Sequence, residues 1–520
     1  MREIELTLDR LFYQTLLRKP EEGIVYRGSV LTYRSLFNNV KRIADALYHS
    51  DLRGHRIAVL DWNTPEYAEL LFGIPLSGSS IHPVNVRLPL EEILKTIKLA
   101  GDRAVFFSSD FLPIVKKIES LGLVPKDHIF FIGDGDSHGY KTYTDLRASG
   151  SDKFEFNVKE TDEASVLFTS GTTGEPKGVS YSHKKIILGV WAMITLLSAY
   201  PGNSRLTSVD TVLSLIPFYH LWSWGTLYIS TMLGNRYVLI PRFEPNNVIQ
   251  AIEAEKVTWM TAVPTMLYAL LAHPQSEKLR GLKVLIGGSP IPYGLVKIAR
   301  AKGVELAMIY GFTEGLVAGI ATVNERYGLL PREARDDISA STITPAPLSE
   351  IRVERLPESQ LGEILFRSPW LPRGYFTSVE KTREAFDPDG WLHSGDAGDI
   401  DAYGNLRILD RTKDLIKSGA EFIPSALIES FISELPWIES VAVVGRPDEK
   451  WVERPIAFIK TRYNEPLNPE KIREHLENYV SQGKLNRWWI PDEFIQVDTM
   501  PITGTGKIDK KALKNKITRR

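Results

Sequence analysis

Between residues 33 and 84 the chain alternates between helical and extended patterning, which leaves few folds open to it. Tyr33–His49 carries apolar residues at helical spacing, and Arg56–Leu60 (Arg-Ile-Ala-Val-Leu) is the short apolar run of a buried strand. Glu66–Ser77 returns to the helical pattern and Ser80–Val84 to an extended one. Such alternation predicts parallel α/β layers, because each helix must return the chain to the same edge of a sheet. It resumes at Thr211–Pro217, Asn247–Lys256, Val257–Ala262 and Lys283–Gly287, with no internal repeat and no low-complexity segment.

Near residue 400 the texture changes. Gly390–Asp401 is polar and loop-like, and Asn405–Asp410 reads as a short strand ending in Asp410-Arg411-Thr412-Lys413-Asp414. Beyond it Ser425–Glu434 is helical, Ile438–Gly445 and Arg454–Thr461 are extended, and Pro469–Ser481 is helical. Roughly 110 residues of this kind suffice for a small α+β domain. The predicted division is therefore 1–410 and 411–520, with the boundary at Asp410–Leu415. That boundary is charged rather than Gly/Ser-rich, which favours a defined hinge over a floppy tether.

A chain of 520 residues implies two to four domains. Its net charge of −1 gives no footprint for nucleic acid or an anionic membrane. No run approaches the roughly 18 apolar residues that span a bilayer, and Met1–Glu5 lacks the apolar core of a signal peptide. The absence of cysteine excludes disulfides, thiolate catalysis and cysteine metal sites. A cytoplasmic location is expected; the lack of cysteine also fits a hot or oxidising habitat.

Residues 169–178 read Thr-Ser-Gly-Thr-Thr-Gly-Glu-Pro-Lys-Gly. Short hydroxyls and exposed N–H groups at Thr169, Ser170, Gly171, Thr172, Thr173 and Gly174 can wrap a polyphosphate, and Lys177 adds a point charge. The spacing is not that of a Walker A loop, which has four residues between its glycines and Lys-Ser/Thr after the second. Pro176 resists helix continuation, so the loop is not expected to run straight into a helix. The apolar Ser165–Phe168 before it reads as a buried strand. The competing reading is a surface turn rich in Gly, Thr and Ser.

Other clusters carry chemistry. In Tyr310-Gly311-Phe312-Thr313-Glu314 the tyrosine offers a flat face, the threonine a hydroxyl and the glutamate a hard oxygen ligand for Mg²⁺. Asp396, after His393-Ser394-Gly395, can accept two ribose hydroxyls, and Arg411 offers a rigid fork of donors. Thr503-Gly504-Thr505-Gly506-Lys507 places a lysine on a flexible tip. Singly, each has a plain alternative as a turn, a cap or a solvated loop.

Taken in order, together with Gly362-Glu363-Ile364 and Gly374-Tyr375, these motifs resemble the adenylate-forming enzymes: acyl-CoA synthetases, firefly luciferase and the adenylation domains of peptide synthetases. The resemblance covers nearly the whole chain. It implies a large α/β N-terminal domain of layered parallel sheets plus a distorted β-barrel, with a small mobile α+β C-terminal domain. It also implies roles. Thr169–Lys177 would hold the β- and γ-phosphates of ATP. Tyr310 and Gly311 would pack on adenine, with Gly287-Gly288-Ser289-Pro290 opposite. Thr313 would touch the α-phosphate, Glu314 and Thr169 would hold Mg²⁺, and Asp396 and Arg411 would bind ribose. Lys507 would bridge the acid and the α-phosphate, and Lys413 would be the hinge residue.

The pattern His220-x-x-x-Trp224-Gly-x-x-Tyr228 is similar to medium- and long-chain fatty acyl-CoA synthetases, where the tryptophan gates the acyl tunnel; His220, Trp224 and Gly287 would line the acyl site. Ordinary core packing is the alternative for Trp222 and Trp224. Trp488-Trp489-Ile490-Pro491-Asp492 is a second such resemblance. Lys417, Ser418 and Gly419 would border the pantetheine passage of CoA, but Ala420 stands where the family has glycine, as does Val452, and 339–347 lacks a customary glycine. The expected activity is ATP- and CoA-dependent ligation of a fatty acid. The alternatives are a short-chain, hydroxylated or aryl acid, a free-standing adenylation enzyme that loads a carrier protein, a luciferase-like activity, or a silent binding protein. A homodimer is implied by resemblance alone.

Overall fold

The computed structural model describes residues 4–169, 175–323, 330–355, 361–401, 403–419, 421–462, 465–502 and 508–517. Several helices begin where the sequence supplies a side-chain acceptor. Thr32 accepts the Ser35 N–H at the head of Tyr33–Tyr48, and Thr64 accepts the Tyr67 N–H ahead of Pro65–Leu76. Ser182 caps His183–Ile194 and Asn468 caps Pro469–Ser481 in the same way. Each such bond satisfies an orphan donor and is worth about 1 kcal/mol.

The first sheet has strand order Lys141–Thr142, Ile129–Ile132, Ala104–Ser108, Arg56–Leu60, Ser80–Pro83, Glu163–Thr169, Lys177–Ser182. Its strands run parallel up to Glu163–Thr169, and Lys177–Ser182 returns antiparallel as the edge. A second, longer sheet has a parallel half: Gly23–Tyr26, Arg236–Leu239, Thr211–Ser214, Trp259–Ala262, Lys283–Ile286 and Glu305–Tyr310. Beyond Tyr310 it continues antiparallel through Gly319–Ile320, Thr342–Pro345, Leu406–Arg411, Leu392–Ile400, Gly362–Arg367 and Glu350–Arg355. These antiparallel strands stand where a distorted barrel is expected, and among the described residues their pairing traces an open path. One large core, including fully buried Trp222, Trp259 and Trp370, fills the space between the layers.

The strand expected over Thr211–Pro217 stops at Ser214. Pro217 has no N–H to give a ladder, and the buried Asn63 amide takes the neighbouring groups instead, donating to Ile216 O and accepting from Phe218 N–H.

Residues from 416 onward build a sheet of their own: Glu421–Ile423, Ile416–Ser418, Val452–Thr461 and Ile438–Asp448, with Glu493–Gln496 parallel to Val452–Thr461. Ser425–Ile432 and Pro469–Ser481 cover it, with Phe431 and Tyr479 stacked at 3.9 Å. Trp488 and Trp489 pack against this core, so the second tryptophan motif is structural. This part touches the larger one where Tyr293 N–H donates to Ser430 Oγ and Lys297 pairs with Glu434. No helix of the described residues is long and apolar enough to cross a membrane.

Asp61, in the turn before Pro65–Leu76, is 1% exposed and accepts from Trp62 N–H and Thr64 Oγ. Burial pushes its carboxyl from 3.8 up to about 7, against the pull of those hydrogen bonds. The folded state thus holds a proton that the unfolded chain releases, and the contribution of Asp61 to stability falls as pH rises from about 4 to about 7. Asp61→Asn does not titrate there. Its stability relative to wild type should rise by a few kcal/mol across that window, read from urea midpoints at both ends.

Candidate active site

The phosphate-loop segment is the tip of a hairpin. Thr169 and Lys177 are direct cross-strand partners, the last residue of one strand and the first of the next. Pro176 accordingly precedes a strand rather than a helix. Ser170, Gly171, Thr172, Thr173 and Gly174 lie outside the described residues. The base of the hairpin is clamped: Gly178 N–H donates to Thr377 Oγ, and Phe376 N–H to Gly178 O. A Cβ at Gly178 would lie 2.4 Å from the Phe376 ring, so a side chain there would have to displace that ring.

The clamp continues to Glu314. Tyr375 donates its hydroxyl to Glu314 Oε1 at 2.6 Å, and Lys177 Nζ lies 5.0 Å from the centre of the Tyr375 ring. Burial, with Glu314 alongside, raises the Tyr375 phenol, which keeps it a donor. Thr313 is fixed through its carbonyl, which accepts from Tyr181 Oη at 2.7 Å. The structure therefore gathers Thr169, Lys177, Thr313 and Glu314 around one hairpin base. Mg²⁺ takes oxygen ligands and commonly needs only one or two carboxylates when substrate phosphates supply the rest. Glu314, oriented by Tyr375, offers one such carboxylate, and Thr169 brings a hydroxyl at the strand end paired with Lys177. No cluster of three acidic or histidine ligands occurs among the described residues.

Tyr310, Asp396 and Arg411 also meet. Tyr310 ends its strand, and its hydroxyl donates to Asp396 Oδ2 at 2.6 Å. Arg411 Nε lies 2.8 Å from Asp396 Oδ1, the two residues being cross-strand partners. Burial and the adjacent carboxylate push the Tyr310 phenol far up, so it stays protonated and orients Asp396. The two donors align the carboxylate, whose oxygens are acceptors of the kind a diol needs. Gly311 cannot carry a side chain, since a Cβ would lie 2.1 Å from Leu316 O.

Gly287 leaves the neighbouring parallel strand beside Ile309. A Cβ there would lie 2.9 Å from Trp224 Cη2, which places the Trp224 ring directly on the glycine. Gly288 has φ +82° and, like Ser289, is exposed. The His220 carbonyl accepts the Trp224 N–H, and its ring packs against Tyr219 at 4.9 Å. Between them the backbone is left-handed: φ is 49° at Leu221, 53° at Trp222, 62° at Ser223, 52° at Trp224 and 73° at Gly225. Residues with side chains pay about 1–2 kcal/mol each for that conformation. Trp222 is fully buried and structural, whereas Trp224 is half-buried at the site.

Lys417, Ser418 and Gly419 bond within the C-terminal sheet: Lys417 N–H to Glu453, Ser418 Oγ from Arg454, and Gly419 N–H to Trp451 O. Lys413 sits in the turn after Leu406–Arg411. Val452, where the resemblance leads one to expect glycine, has φ +71°, a strained setting for a β-branched residue. Ala420 and Lys507 lie outside the described residues. Tyr181, Asn63 and Ser165 bond to the segments that carry the candidate residues, without any sequence motif to announce them; Tyr375 was visible only as part of Gly374-Tyr375.

Residues 12–376 match the family model of the AMP-binding enzymes, and residues 427–507 match the AMP-binding enzyme C-terminal domain. The long-chain-fatty-acid–CoA ligase of Thermus thermophilus is 32% identical over 512 residues, covering 96% of this chain and 92% of that protein. The medium-chain-fatty-acid–CoA ligase of Ectopseudomonas oleovorans is 32% identical over 498 residues, covering 92% of this chain and 88% of that protein. Among solved structures, o-succinylbenzoate CoA synthetase from Bacillus subtilis, in complex with its acyl-adenylate intermediate, superposes with a TM-score of 0.79 at 26% identity, covering 99% of each chain.

Asp396→Asn keeps the shape of the side chain but loses the charge held between Tyr310 and Arg411. The KM for ATP should rise about 10- to 100-fold, the scale of a charge-assisted hydrogen bond, with the acid KM within about threefold of wild type. Steady-state kinetics with each substrate varied in turn checks both.

Proposed function

The chain belongs to the AMP-binding enzyme family, and from that premise we propose that it is an AMP-forming acyl-CoA synthetase acting on a medium- or long-chain fatty acid. The acid carboxylate attacks the α-phosphorus of ATP, pyrophosphate leaves, and the acyl-adenylate is then opened by the CoA thiol to give acyl-CoA and AMP. The observation that carries the reading is the convergence of two polar clusters and one apolar wall. Glu314 with Lys177, and Asp396 with Tyr310 and Arg411, flank the strand ends where Trp224 lies on Gly287. Ligands of open parallel sheets bind at such strand ends.

Each residue then has a task. The 169–177 hairpin holds the β- and γ-phosphates, Tyr310 and Gly287–Ser289 sandwich adenine, and Asp396 with Arg411 takes the ribose hydroxyls. Thr313 orients the α-phosphate. Mg²⁺, bound by Glu314, Thr169 and the phosphates, would neutralise negative charge when present. A carboxylate approaching a phosphate meets like-charge repulsion, so Lys507 is proposed to bridge the two as the bond forms. His220 and Trp224 border the acyl chain, and Lys417–Gly419 the pantetheine arm.

Lys507 belongs to the segment 411–520, proposed as a small domain that turns on a hinge at 410–415 around Lys413. The separate sheet beginning at Ile416 supports that division. A cytoplasmic location and a homodimer complete the reading.

Carboxylate-dependent pyrophosphate release, assayed across short-, medium-, long-chain and aryl acids and then with CoA added, tests the function. Fatty acids should give the highest kcat/KM and thioester should appear only with CoA; a response confined to short-chain or aryl acids overturns the substrate class, and failure to form thioester points to a carrier thiol. Lys507→Ala should lose at least about 10²-fold in adenylation while thioester formation from supplied acyl-adenylate persists. Equal loss in both half-reactions overturns that role.

A further inference from the structure

We propose that Trp222, Ser165 and Asn63 are positioning residues that set which acids the enzyme accepts, by holding the left-handed turn at 221–225 so that Trp224 keeps its place on Gly287. The proposal rests on the fatty-acid reading above.

Four successive residues with side chains hold φ between 49° and 62° before Gly225. L-residues visit that region singly, because Cβ crowds the following carbonyl, so an unsupported run of this kind unwinds. Here it is tied down from three directions. Asn63, in the turn ahead of Pro65–Leu76, donates Nδ2–H to Ile216 O at 3.1 Å and accepts at Oδ1 from Phe218 N–H at 2.8 Å. It thus replaces a strand partner on both sides of Pro217. Ser223 Oγ donates to the same Ile216 carbonyl at 2.8 Å, from inside the turn. Trp222, 0% exposed, donates Nε1–H to Ser165 Oγ at 3.0 Å, and Ser165 in turn donates to Ile81 O at 3.1 Å.

The geometry divides the labour between the two tryptophans. Residues two apart on an α-type turn point roughly 200° apart, so seating Trp222 inward directs Trp224 outward, onto Gly287. Ser165 belongs to the strand that ends at Thr169, so the turn leans on the same strand that carries the phosphate hairpin. Trp222 and Ser165 are both fully buried and Asn63 is 4% exposed, so the three act through Trp224 rather than on the acid.

Trp222→Phe keeps an aromatic ring, smaller than the indole, and loses the donor; Ser165→Ala loses the acceptor without changing the packing much. For these two, their double variant and Asn63→Ala, we would measure kcat and KM over a graded series of acids by pyrophosphate release, together with the ATP KM and the thermal midpoint. Each single variant should reduce the kcat/KM ratio between preferred and non-preferred chain lengths by about 3- to 10-fold, the scale of one hydrogen bond. The change should fall mainly on the acid KM, leave the ATP KM in place, and grow no further in the double variant. A common loss across all acids with the ratio intact, or effects of Trp222→Phe and Ser165→Ala that multiply, overturns the proposal. If Trp222→Phe fails to fold, Ser165→Ala and Asn63→Ala decide by the same ratio. Should wild type accept only short-chain or aryl acids, the fatty-acid reading falls, and the ratio across the accepted series still decides this inference.

Discussion

The parallel register of Lys283–Ile286 against Glu305–Tyr310 is the constraint on which the site depends. Ile286 lies opposite Met308, so Gly287 leaves the sheet beside Ile309, while Ile309 and Tyr310 stay paired to Ile320 and Gly319. A slip of one residue would turn every side chain of the strand to the opposite face; Tyr310 would then lose Asp396, and Ile309 would occupy its place. Because Gly287 carries no side chain, the Trp224 ring can close on the sheet end from one side while the Tyr310–Asp396–Arg411 cluster closes from the other. The antiparallel continuation of the same sheet supplies Asp396 and Arg411 as cross-strand partners. One hydrogen-bonded layer therefore fixes both the apolar wall and the diol-binding pair.

Elements written in local periodicity were legible. The strands at Arg56–Leu60 and Lys283–Ile286 and the helix Pro469–Ser481 fall where spacing put them, because apolar period and cap residues are local signals. Pro176 likewise announced that no helix follows the phosphate loop, and a strand begins at the next residue. Polar contacts between distant segments were not legible. Asn63 reaches Ile216 across 153 residues, Tyr181 reaches Thr313 across 132, and Trp222 reaches Ser165 across 57. Nothing near any of them encodes the partner. The left-handed turn was equally silent, since Leu-Trp-Ser-Trp contains no glycine or asparagine to mark positive φ. Val452 is the converse case: the departure from glycine was visible in sequence, and its backbone shows the conformation that glycine would have relieved.

The segment that carries Lys507 is rooted in a buried ionic network beside the proposed hinge. Asp410 Oδ2, at the end of Leu406–Arg411, accepts from the Ser425 hydroxyl and the Ala426 N–H, capping the helix Ser425–Ile432. Lys510 donates to the same Ser425 hydroxyl and pairs with Glu429 at 2.7 Å, and Glu429 accepts from Val443 N–H. Burial works against the Lys510 charge, but Glu429 and Asp410 outweigh it and hold the ammonium charged. Removing either partner would strand an uncompensated buried charge, so members of such a network hold or fail together. Lys510 lies three positions beyond Lys507, and Asp410 lies one position before Arg411. Lys510 and Asp410, each close in sequence to one of those residues, therefore meet at the same helix N-terminus. Any rotation about 410–415 must either carry this network intact or break it, and its buried charges favour carrying it intact.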